Sequence, residues 1–234
     1  MGDRFDLVIF DCDGVLVDSE RVANEVFAGV LEEVCGLQFT LEDMFDTFVG
    51  HSRDQCLQKI EALIGEPPPP ELDQRYQQDI NRALAESVAA IDGIETVLEQ
   101  LALPCCVASS GSHEKMQMTL GKTDLMRFFP GKIFSTSDVE RGKPHPDIYL
   151  HAARTMGIDD PERCLVIEDS PIGVTGAVAA GMNVFGFAEL MPAPRLHASG
   201  AHLVFERMHD LPERIATHSR SSVVSLSPRN DIPA

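Results

Sequence analysis

Six short apolar runs punctuate this chain: DLVIF (6–10), PCCVAS (104–109), KIFS (132–135), CLVIED (164–169), NVFGF (183–187) and HLVF (202–205). From residue 91 onward such runs alternate with segments of helical spacing, namely IDGIETVLEQLA and helices starting near His113, near Pro146 and at Pro171. Runs this short and carbon-rich on both faces read as strands covered from both sides. Strands joined through helices run parallel. The pattern therefore predicts an α/β fold with a mostly parallel sheet and helices on both faces.

The pattern changes between the first and second runs. Val22, Val26, Val30 and Val34 recur four apart with Phe27 and Leu31 beside them, a helix stripe closed by Gly36. Thr40 in TLED offers an N-cap, SRDQCLQKIEALIG (52–65) keeps helical spacing, GEPPPPE is a stiff loop, and residues 72–90 are rich in Gln, Arg and Ala. With no strand signal between about residues 18 and 90, this stretch predicts an all-helical block inserted behind strand one. The expected organisation is a core of residues 1–17 and 91–218, an insert of residues 18–90, and a mobile tail of residues 219–234.

Thirty-seven acidic against 19 basic residues give a net charge of −18, which argues against nucleic acid or an anionic membrane surface as partner. No run approaches the roughly 20 apolar residues of a membrane span, and the opening MGDRFD lacks the basic start and apolar core of a signal peptide, so a cytoplasmic protein is expected. The six cysteines show no C-x-x-C spacing and read as reduced packing residues, with Cys105 and Cys106 on opposite faces of a strand.

In a parallel α/β sheet, ligands bind outside the carboxyl ends of the strands. Four of those ends are polar here: Asp11 and Asp13 after the first run, Ser109 to Ser112 after the second, Lys143 in RGKPHPD after the third, and Glu168, Asp169 and Ser170 after the fourth. Each has an ordinary explanation. Turns favour Asp and Gly, Ser170 before Pro171 is a natural N-cap, Ser112 can cap the helix at His113, and a loop lysine is usually solvated. Together they supply carboxylates suited to Mg²⁺, a lysine for charge, and N–H and O–H donors for phosphoryl oxygens. That combination points to phosphoryl transfer.

The stretches FDCDGVLVDSE, CVASSGS, RGKPHPD and LVIEDSPIGVTGAVAAGM, in this order, resemble the four signature motifs of the haloacid dehalogenase superfamily. The likeness runs to about residue 210, and the helical block resembles the family's small C1 cap on a Rossmann-like core. The segments ASSGSHEKMQMTLGK and FFPGKIFSTSDVERGKP are similar to the 6-phosphogluconate phosphatase branch, near the β-phosphoglucomutase-like sugar phosphatases. The resemblance implies a nucleophile at Asp11, which would form an aspartyl-phosphate, and an acid and base at Asp13. It implies Mg²⁺ held by the Asp11 carboxylate, the Asp13 carbonyl and Asp169, with Glu168 in support. Ser109 and the N–H groups of Ser110 and Gly111 would bind phosphoryl oxygens, and Lys143 would neutralise charge.

On this resemblance the protein is a phosphatase of a small phosphorylated sugar or sugar acid, acting as a monomer or weak homodimer. Asp13 argues against a dehalogenase, which needs no leaving-group acid. Lys59 is the one cap lysine a phosphonatase reading could use, and a place on an exposed helix surface explains it without that role. A sugar phosphomutase is the main alternative: GHSRDQCLQKI resembles its cap segment and Arg53 its phosphate-binding arginine, but Ala23 stands where the mutase has a histidine. Arg53 could equally bind a second anionic group of the substrate, with His51 and Glu20 further candidates at the cap mouth. A non-catalytic metabolite- or protein-binding relative is the remaining alternative, against which the full catalytic set stands.

Overall fold

Successive residues of the first strand bury alternate faces, Leu7 and Ile9 on one side and Val8 and Phe10 on the other, and all are inaccessible to solvent. This strand, β1 (Leu7–Phe10), occupies the middle of the sheet in the computed structural model, which describes residues 4–49 and 53–221. The others are β2 (Cys105–Ser109), β3 (Ile133–Ser135), β4 (Cys164–Glu168), β5 (Asn183–Phe187) and β6 (Leu203–Phe205). Their order is β3-β2-β1-β4-β5-β6, every pairing parallel. The six apolar runs are thus the six strands, and their carboxyl ends share one edge.

Four helices follow β1: α1 (Ser19–Cys35), α2 (Leu41–Phe48), α3 (Arg53–Ile64) and α4 (Glu71–Ser87). Thr40 caps α2 in a reciprocal box with Asp43, and Gly36 closes α1 in the left-handed conformation at φ 69°. Val30, Leu31, Met44, Phe48, Ile60 and Leu72 make a core of their own, while Ile80 and Leu84 of α4 join the main one. The chain enters and leaves this insert side by side. Asp18 N–H donates to Ala89 O at 2.9 Å and Ile91 N–H to Leu16 O at 3.0 Å.

The remaining helices cover the sheet. α5 (Ile94–Gln100), α6 (His113–Lys122) and α10 (Leu211–Ser221) pack on the face of Val8 and Phe10; α7 (Asp147–Thr155), α8 (Pro171–Ala179) and α9 (Ala193–Ala198) pack on the other. Sequence spacing did not signal α9 or α10. α10 runs through residues 219–221 of the expected tail because Leu211 and Ile215, one turn apart, seat it in the core; residues 222–234 lie outside the described residues.

Two buried positions of α8 carry no side chain, Gly173 and Gly176. A Cβ at Gly176 would come within 3.2 Å of the Pro144 and His145 carbonyls and of the Tyr149 ring, and one at Gly173 would lie 1.9 Å from Glu168 Oε1. These two glycines, three apart on one side of the helix, let α8 close over the end of β4 and over the loop that carries Lys143. Replacing glycine by alanine inside a helix normally stabilises it. Gly173→Ala should instead lower the stability in urea unfolding by roughly 1–3 kcal/mol, since the added methyl has no room. The same change at Gly29, exposed in α1 with nothing near its Cβ position, should raise it by about 0.4–1 kcal/mol; parallel effects at both sites would contradict the packing described.

Candidate functional site

β1 stops at Phe10, and the next residue, Asp11, is still tied to the sheet by its N–H, which donates to Ile167 O at 3.0 Å. Its side chain is therefore delivered to the sheet edge beside the end of β4. Lys143 comes from the loop after β3, and its side chain is 2 % exposed. Its Nζ donates to Asp11 Oδ1 at 2.8 Å and to Glu168 Oε1 at 2.6 Å. Burial alone would lower the Lys143 pKa, but Asp11 and Glu168 outweigh it and hold the ammonium charged well above its ordinary range.

Glu168 is fully buried and saturated with donors. Lys143 and the Tyr149 hydroxyl donate to Oε1, the latter at 2.8 Å, while the Ser170 N–H and hydroxyl donate to Oε2 at 3.0 and 2.9 Å. Ser170 is also the N-cap of α8, accepting from Gly173 N–H at 3.1 Å. Four donors leave Glu168 suited to anchoring Lys143 more than to facing a ligand.

Asp169 is the opposite case. Among the described residues no donor reaches its carboxylate, which hangs over Gly14; a Cβ there would lie 2.0 Å from Asp169 Oδ2. Gly14 also takes φ +73°, a conformation that favours glycine. Burial raises the Asp169 carboxyl well above the usual range, and Glu168 and Asp11 add to it. Asp11 itself is pushed up to about 7 by burial, with Lys143 opposing.

Asp11, Glu168 and Asp169 each offer an oxygen, and these oxygens all lie within 4.8 Å of one another. Three carboxylates and the Lys143 ammonium sum to −2 when ionised, in a place with little water. An all-oxygen set with two uncompensated negative charges and a donor-free carboxylate fits a hard divalent cation such as Mg²⁺.

Asp13 does not belong to this cluster. It lies in the turn that the Leu16 N–H closes on Cys12 O, and its carboxylate is held elsewhere: Ser19 Oγ donates to Oδ1 at 2.6 Å and Lys115 Nζ to Oδ2 at 2.8 Å. The two aspartates thus have separate environments and separate lysines. At the end of β2, Ser109 is buried and its Oγ accepts from Gly111 N–H at 3.0 Å. Ser135 Oγ donates to Gly111 O at 2.8 Å and Thr136 Oγ1 to Ser110 O at 3.2 Å, so both carbonyls of this loop are tied to the end of β3. Ser112 caps α6.

Of the residues read from the insert, Glu20 lies in the first turn of α1, its carboxyl raised by burial and then by Asp13. Arg53, in α3, pairs with Asp73 of α4, and both side chains are 55 % exposed. His51 lies outside the described residues. Tyr76 of α4 was not anticipated. Its ring packs edge-on against Phe27, and its hydroxyl is pushed up to about 12 by burial and then by Glu20 and Asp13. Lys115, Ser19 and Tyr149 were also missed. Lys115 did carry a signal: it is the third residue of α6, where a helix disfavours a cation that has no anionic partner.

A family model described as haloacid dehalogenase-like hydrolase matches residues 5–181. The 6-phosphogluconate phosphatase of Escherichia coli K12 is 32 % identical over 212 residues, covering 90 % of this chain and 94 % of the relative. The phosphorylated carbohydrates phosphatase of Thermotoga maritima is 30 % identical over 180 residues, covering 75 % and 82 %. Among solved structures, a conserved haloacid dehalogenase-like protein from Agrobacterium tumefaciens superposes with TM-score 0.85 at 39 % identity, covering 92 % of this chain and 100 % of its own. A family hydrolase from Deinococcus radiodurans with bound phosphate and sodium gives TM-score 0.82 at 33 % identity, covering 92 % and 97 %. A parallel sheet with its acidic residues gathered at one edge, and relatives alike over nearly their whole length, lead to one conclusion: this chain belongs to the haloacid dehalogenase-like hydrolases.

Proposed function

We propose that this protein is a Mg²⁺-dependent phosphatase that hydrolyses a small phosphorylated sugar or sugar acid through an aspartyl-phosphate on Asp11. The observation that carries this reading is the charge of the crevice, three carboxylates around one buried ammonium. Asp11, Asp169 and the Asp13 carbonyl would hold the ion, with Glu168 fixing Lys143 beside it. Bound there, Mg²⁺ would supply the two missing positive charges and polarise phosphoryl oxygens. The names of the Escherichia coli and Thermotoga relatives support a phosphorylated carbohydrate as substrate, and the phosphate in the Deinococcus structure supports an anion site.

The chain's own groups then divide the work. An Asp11 oxygen attacks phosphorus in line, forming an O–P bond as the bond from phosphorus to the sugar oxygen breaks. The departing oxygen keeps the electron pair and takes a proton from Asp13. In the second half, water gives a proton back to Asp13 as its oxygen attacks phosphorus. The bond to Asp11 breaks, and inorganic phosphate leaves. Lys143 stabilises the charge that gathers between Asp11 and the phosphoryl group, and Ser109 with the N–H groups of Ser110 and Gly111 orients its oxygens. The insert, residues 18–90, acts as the cap, with Glu20 a candidate substrate contact at its mouth.

The direct test is phosphate release from a panel of phosphorylated sugars, sugar acids and polyols, glucose 1-phosphate included, with and without Mg²⁺. Turnover should vanish with a chelator and return with Mg²⁺, and Asp11→Asn should lose at least roughly 10³-fold with its fold intact; wild-type turnover in that variant would sink the mechanism. Mg²⁺ alone should raise the Tm of the wild-type protein, and Asp169→Asn should abolish that rise; an equal rise in the variant would place the ion elsewhere. Exposed ion pairs contribute only about 0–1 kcal/mol, so a substrate anion can displace Asp73 from Arg53 at little cost. Arg53→Ala should therefore raise KM several-fold, on the order of one broken charged contact, for phosphorylated sugar acids and leave neutral sugar phosphates unchanged.

A further inference from the structure

The carboxylate of Asp13 is gripped at both oxygens by groups from two different parts of the chain. Ser19, buried as the first residue of α1, donates to Oδ1, and Lys115, from the first turn of α6, donates to Oδ2. A carboxylate with one donor can still swing about its Cβ–Cγ bond; with a donor on each oxygen its plane is set. Lys115 reaches across 102 positions of sequence to do this. The position for a Cβ on Gly111 lies 3.5 Å from Lys115 Cδ and 3.6 Å from Asp13 Oδ2, so this bare backbone of the candidate phosphate-binding loop flanks both partners. The pair is only partly covered, with Lys115 33 % and Asp13 22 % exposed, so a ligand can reach it. An exposed surface pair in this position would contribute little to stability, yet here the cation stands at a helix N-terminus, which disfavours it.

We propose that Ser19 and Lys115 form a clamp that sets the direction of the Asp13 carboxyl, making Lys115 a positioning residue for the proton that the leaving oxygen receives. This rests on the reading of Asp13 as the acid. An alkoxide of a sugar is a poor leaving group and needs that proton. A nitrophenolate, far less basic, leaves without it. The clamp therefore matters for one kind of substrate and not for the other, a distinction that mere support of the fold would not produce.

The test uses the Mg²⁺-loaded full chain and reads the first chemical step alone, as substrate loss in single turnover for a sugar phosphate and as the burst of nitrophenolate from p-nitrophenyl phosphate. Lys115→Met should slow the sugar phosphate step roughly 10- to 100-fold, within the range of a positioned acid, and the nitrophenolate burst less than about 3-fold on the same basis. Ser19→Ala should show the same selectivity, and Lys115→Arg, which keeps a cationic donor, should restore part of the rate. Asp13→Asn is the reference. If it is selective and Lys115→Met slows both substrates equally or neither, the clamp is overturned while the phosphatase reading stands. If Asp13→Asn shows no selectivity, the reading of Asp13 itself fails. Should Lys115→Met not fold, Lys115→Arg and Ser19→Ala decide the matter by the same comparison.

Discussion

The buried ammonium of Lys143 is the group on which the rest of the crevice depends. Three carboxylates converge at the ends of β1 and β4, and without a cation among them they would repel and lose hydration together. Lys143 answers only part of this. It engages Asp11 and Glu168 and leaves Asp169 without a donor among the described residues. The arrangement is stable enough to form and still short of positive charge. Buried ion pairs as such are weak sources of stability, and this one leaves a charge deficit at a cluster of oxygens that could hold a metal ion.

Much of the surrounding structure serves that lysine. Tyr149 and Ser170 saturate the remaining valence of Glu168, so that it presents a fixed oxygen to Nζ. The glycines of α8 remove the side chains that would keep the Lys143 loop and the Glu168 carboxyl away from the helix. The absence of side chains at positions 173 and 176 is as much a part of the site as the charged groups they admit.

The strands, their parallel sense and the acidic ends of β1 and β4 were legible because they are local: each is an apolar run of a few residues with its polar terminus attached. Thr40, Gly36 and Ser170 announced helix ends for the same reason, through capping chemistry that acts within four residues. What could not be read was pairing across the chain. Nothing near Asp13 names Lys115, and nothing near Glu168 names Tyr149, since both meetings are made by the folded sheet. Nor could the sequence show that the turn after β1 carries the Asp13 carboxylate away from Lys143 and toward α1 and α6. α9 and α10 escaped notice because their apolar stripes are short, with Leu196 alone buried in the first.

The helical insert enters and leaves through neighbouring backbone, Leu16 bonded to Ile91 and Asp18 to Ala89. Its two ends are thus joined through backbone where they leave the core, and Ile80 and Leu84 of α4 then pack into the main core beside them. Because the insert is entered and left at one place, changes of length in its loops leave the register of every strand untouched. In this architecture the loops of a helical insert can change at the pace of a surface loop, while the charged groups at the strand ends stay fixed by the sheet.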